Sequence, residues 1–87
     1  MAEVYLPPAL VVLFPGAPRR LTLEADSVGA LLRLLDSRWP GMWDRLCTAG
    51  PAIREHMNIF VDGEKGTLQT PLRTATIVRI IPALSGG

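Results

Sequence analysis

The stretch "DSVGALLRLLDSRWPG" has a helical period, and it limits what the rest of the chain can build around it. Ser27 is a good N-cap, and Val28, Leu31, Leu32 and Leu35 recur at helical spacing, with Leu34 widening the stripe. Arg33, Asp36 and Arg38 take much of the other side. Pro40 disfavours helix at Trp39, and Gly41 completes the stop. One amphipathic helix in an 87-residue chain has one apolar stripe to bury.

The flanking segments have the other period. Val4, Tyr5 and Leu6 open a first strand, which Pro7 and Pro8 end or push to an edge. Ala9 to Phe14 continues the apolar run, and "FPGAP" is turn chemistry. "RRLTLEA" alternates, with Leu21 and Leu23 on one face and Arg20, Thr22 and Glu24 on the other, so two strands joined by a short turn are predicted. Beyond the helix, "GMWDRLCTAGPAIREH" has room for one short helical turn from Trp43 to Cys47 and a loop at Gly50-Pro51. "MNIFVDGEKG" predicts a strand that ends at the turn pair Asp62-Gly63. Thr76 to Ile81 is the last strand. A hairpin, a crossover helix and a final strand set beside the first make an α+β β-grasp. The expected sheet is mixed, with about four to five strands, one main helix and one short helical turn.

At 87 residues there is room for one domain, so the chain divides into a folded unit at residues 1–82 and a flexible tail at residues 83–87. A net charge of +1 lacks the basic excess of a nucleic-acid footprint. The apolar run from Leu6 to Phe14 is too short for a membrane span and too acidic upstream for a signal peptide. A single cysteine excludes an intramolecular disulfide. The reading is a cytoplasmic protein with neither nucleic acid nor membrane as a partner.

The chain runs from its last strand through "IIPALSGG" to two glycines, which add no burial and are costly to order. That ending, with "NIFVDGE", the capped helix "SVGALLRLL" and the β-grasp order, resembles the ubiquitin-like sulfur carriers. These include the molybdopterin-synthase small subunit, the thiamine-pathway carrier and the carriers of one cysteine-biosynthesis route.

The resemblance implies that Gly87 is adenylated by a ubiquitin-activating-type enzyme using ATP and becomes a thiocarboxylate, which a sulfur-consuming synthase then uses. Gly86 would be its slender spacer and Ser85 and Leu84 the rest of the tail, with no catalytic side chain, bound cofactor or metal in the carrier itself. One departure is plain. The family usually carries an acidic turn such as Asp-Gly-Asp before the last strand, where this chain reads "RTAT".

Period-two alternation also nominates a docking surface. With Met57, Ile59 and Val61 inward, Phe60 points out; with Val78 and Ile80 inward, Arg79 and Ile81 point out. Phe60, Arg79 and Ile81 would then share an outer face, with Phe60 near Ile81 and Leu84 beyond, unless residues 41–56 cover it. Cys47, next to Trp43 and Leu46, reads as a small buried hydrophobe. His56 has no ligand-spaced partners, Asp36 and Glu55 read as scattered surface charges, and Trp39 and Trp43 as caps of the core. A ubiquitin-like modifier conjugated through Gly87 and a plain interaction module are the competing readings.

Overall fold

The computed structural model describes residues 1–82. Helix α2, the predicted one, spans Val28–Arg38. The Ser27 hydroxyl accepts from the Ala30 backbone N–H at 3.1 Å, meeting a donor that the first helical turn leaves unpaired. Val28, Leu31, Leu32 and Leu35 are fully buried, whereas Leu34, expected to widen that stripe, lies at its exposed margin.

The stripe packs on a five-stranded mixed sheet in the order β2-β1-β5-β3-β4. The strands are β1 (Ala2–Tyr5), β2 (Arg20–Leu23), β3 (Met57–Val61), β4 (Glu64–Lys65) and β5 (Ile77–Pro82). β1 and β5 are parallel, and the other neighbouring pairs are antiparallel. Parallel neighbours need a crossover connection, and α2 lies on it. Ala2, Val4, Leu23, Ile59, Val78 and Ile80 form the inner face that meets the helix stripe. This is the β-grasp.

The link from β1 to β2 corrects the sequence reading. The apolar run after the prolines is a helix, α1 (Pro8–Leu13), not an extension of the strand. Pro7 is extended at the N-cap and Pro8 opens the first turn, where the N–H that proline lacks would have no helical partner. Leu10 anchors this short helix in the core, while Val12 and Leu13 remain exposed. The reversal itself falls at the predicted "FPGAP", where the Ala17 N–H reaches the Phe14 carbonyl at 3.0 Å.

The expected helical turn is α3 (Met42–Leu46), which buries Met42 and Leu46. Asp36 is not the scattered surface charge expected of it. Its Oδ1 accepts from the backbone N–H groups of Gly41 and Trp43, at 3.1 and 3.0 Å, and so ties the end of α2 to the start of α3. Asp62 and Gly63 make the two-residue turn between β3 and β4, both at positive φ (50° and 88°), the conformation a tight hairpin with native twist requires.

Candidate functional site

β5 is the central strand and alternates as predicted. Val78 and Ile80 are buried, Arg79 is exposed, and Ile81 keeps 43% of its surface in solvent. Residues 41–56 do not cover this outer face. Their parts that meet the core, Met42, Leu46, Cys47 and Ile53, join the cluster on the helix side of the sheet.

Phe60, Arg79 and Ile81 do share the outer face, but with a different neighbour relation from the one expected. Phe60 stands across from Arg79, and Ile81 across from Asn58, so Phe60 and Ile81 are diagonal. Directly opposed residues of a ladder point to the same side of a sheet. The pairings Arg20–Tyr5, Tyr5–Arg79, Arg79–Phe60 and Phe60–Lys65 therefore join into one row across all five strands. Cations alternate with aromatic rings along it. The Arg79 guanidinium lies 4.5 Å from the centre of the Tyr5 ring and that of Arg20 6.0 Å from it.

Glu3 anchors one end of the row, accepting from the Tyr5 hydroxyl at 2.6 Å and pairing with Arg20 Nε at 2.6 Å. The hydrogen bond to Glu3, with burial second, raises the Tyr5 phenol above its ordinary pKa. Tyr5, Arg20 and Lys65 join this face beyond the three residues that alternation nominates. Their alternation is visible in the sequence, but the register that aligns them with Arg79 and Phe60 is not.

At the downstream end of β5 a cleft of about 360 Å³ opens between residues 5–9 and residues 79–82, with Arg19 on its rim. Gly87, Gly86, Ser85 and Leu84 lie outside the described residues. Cys47 is buried as expected, and desolvation raises its thiol pKa against the lowering pull of Arg33 and Arg54. Trp39 and Trp43 pack against the core, with the Arg33 guanidinium 4.5 Å from the centre of the Trp43 ring. Among the described residues no cluster of His, Cys, Asp and Glu could hold a metal, and no helix is long and apolar enough to cross a membrane.

A parallel β1–β5 core under one long helix, with an open face beside the last strand, defines a ubiquitin-like β-grasp protein. The chain belongs to the ThiS family of ubiquitin-like sulfur carriers, whose model matches residues 12–87. The sulfur carrier protein CysO of Mycobacterium tuberculosis is 27% identical over 86 residues, covering 92% of each chain. Its crystal structure superposes with a TM-score of 0.84 at 25% identity, over 97% of this chain and 100% of that one. Two further likenesses concern the fold alone. A chain of the BexX/CysO complex of Amycolatopsis orientalis gives a TM-score of 0.88 at 22% identity, with complete coverage of both chains (100% and 100%). The H. volcanii small archaeal modifier protein 1 gives 0.74 at 22% identity, over 95% of this chain and 97% of that one.

Proposed function

We propose that this chain is a sulfur carrier, a protein co-substrate and not itself an enzyme, activated at the carboxylate of Gly87. The observation that carries the reading is the position of β5. It is held by ladders on both sides, and its last residue, Pro82, precedes Gly87 by five positions. Five extended residues reach at most about 18 Å, a span over which a partner docked on the open face could draw the carboxylate into its own active site.

A carboxylate is a poor electrophile. In the proposed sequence a Gly87 oxygen attacks the α-phosphorus of ATP and pyrophosphate leaves. Hydrosulfide then attacks the acyl carbon, AMP leaves and the sulfur's proton passes to solvent, so that the sulfur remains on Gly87 as a thiocarboxylate. ATP belongs to a ubiquitin-activating-type adenylating enzyme, and a sulfur-consuming synthase takes the product. Gly86 keeps the approach narrow, because a Cβ there would meet the walls of a channel built for bare backbone. The family match, which extends through Gly87, supports the assignment of that residue. Likeness to carriers named CysO favours the cysteine-biosynthetic use of the sulfur over a molybdopterin or thiamine route. The setting is the cytoplasm.

Intact mass after incubation with the activating enzyme, ATP and a sulfur donor tests the reading. Exchange of one oxygen for sulfur is the expected result, and deletion of Gly87 should abolish it while leaving the fold unchanged. Conjugates to other proteins would make the chain a modifier instead. An unchanged mass would leave only an interaction module.

A further inference from the structure

The row Arg20–Tyr5–Arg79–Phe60–Lys65 puts its cations on every second strand, about 9.5 Å apart at the backbone. They are not equivalent. Arg20 already pairs with Glu3, whereas neither Arg79 nor Lys65 has an ion pair among the described residues. Both are exposed, with the half-buried Phe60 ring between them and the exposed Ile81 beside Arg79 on the same strand. Unpaired cations flanking an apolar centre match the anatomy of a docking patch, in which an aromatic anchor is buried and charges at the rim select the partner and speed its approach.

We infer that Arg79 and Lys65 form a charge clamp around Phe60, which selects a protein surface bearing two carboxylates with an apolar patch between them. The Arg20 end, neutralised by Glu3, contributes little to the choice. The inference deepens the carrier reading, since it rests on that reading for the identity of the partner, the adenylating enzyme. Phosphates could also meet such cations, but two free charges on a chain of net charge +1 are far fewer than a nucleic-acid surface uses.

Lys65 is the only lysine in the chain, which makes the test direct. A carbodiimide activates an enzyme carboxylate, and an amine within contact distance displaces the urea to form an amide. Full-length protein mixed with the adenylating enzyme should cross-link through Lys65 to an Asp or Glu of the enzyme, as located by peptide mapping. In adenylation assays Lys65→Ala and Arg79→Ala should each raise KM for the carrier at least threefold, and together at least tenfold, with kcat unchanged. Lys65→Arg should restore KM, and Arg20→Ala should change it less than either.

Adenylation with unaltered KM in the double variant, or without a Lys65 cross-link, would overturn the clamp and leave the carrier reading standing. Absence of adenylation in the unmodified protein would remove the carrier reading, and the clamp with it. Binding of a single-stranded RNA through the same residues, at affinity equal to that for the enzyme, would overturn the assignment to a protein partner.

Discussion

Phe60 on β3 stands directly across the antiparallel ladder from Arg79 on β5, and the arginine also stacks on Tyr5 from the other side. The central cation of the outer face thus has an aromatic residue on each neighbouring strand, and its guanidinium lies over the Tyr5 ring. Phe60 is only half-buried and Ile81 is exposed, so Phe60→Ala and Ile81→Asp should leave the protein folded by circular dichroism. Each should weaken binding to the activating enzyme by about 1–2 kcal/mol or more, as loss of an interface anchor does. Unfolding of Ile81→Asp would show that the face has been assigned to the wrong side of the strand.

Leu31 and Leu35 are completely buried between α2 and the sheet. Replacing either by alanine leaves a cavity and should cost about 2–5 kcal/mol in denaturant unfolding. An unaltered midpoint for both would be incompatible with this packing.

Asp36 should prove structural although it is charged and lies near the surface. Both of its hydrogen bonds serve backbone N–H groups at the start of α3. Asp36→Ala should lower stability by about 1–2 kcal/mol, in the range of a lost helix cap, and leave adenylation intact. Asp36→Asn, which keeps an acceptor oxygen, should recover most of the loss.

The "RTAT" segment before β5 forms a turn closed by its own last side chain. Ala75 occupies the left-handed region at φ 64°, and the buried Thr76 hydroxyl closes the turn by accepting from the Arg73 N–H at 2.9 Å and donating to its carbonyl at 2.7 Å. Glycine has no Cβ to strain at such a φ but loses more entropy on folding. Ala75→Gly should therefore stabilise the protein by about 0.5–1 kcal/mol, and a lower thermal midpoint would contradict that balance.

Cys47 gives stability a dependence on alkaline pH. Burial raises its pKa in the folded state, so the native protein holds this proton more tightly than the unfolded chain does. The resulting stability is present in full below the ordinary thiol range, about 8.5, and is lost as pH rises through it towards the folded value. The raised Tyr5 phenol acts with the same sign at higher pH. Unfolding midpoints measured from neutral to alkaline pH should fall, with a shallower fall in Cys47→Ala over the thiol range. Thiol reagents should modify native Cys47 far more slowly than the unfolded chain.

Helix α2, the Asp62-Gly63 turn and the alternation of β5 were legible because each is a local pattern, complete within a few consecutive residues. Ser27 needs only Ala30 to cap its helix, and Val78 and Ile80 need only a period of two to share a face. The outward setting of Phe60, Arg79 and Ile81 was readable for the same reason. The run from Ala9 to Phe14 was misread because an apolar stretch without period does not separate strand from helix, and the prolines that end β1 also start α1. Asp36 gave no local signal, since its two partners lie five and seven residues away around a bend that forms only when α3 folds back against α2. The cation–aromatic row was still less accessible. Its members come from five strands, and a slip of one residue in any ladder would turn that strand's side chain to the other face. Burying the inner-face residues under α2 selects one register, and that register places Arg79 between Tyr5 and Phe60.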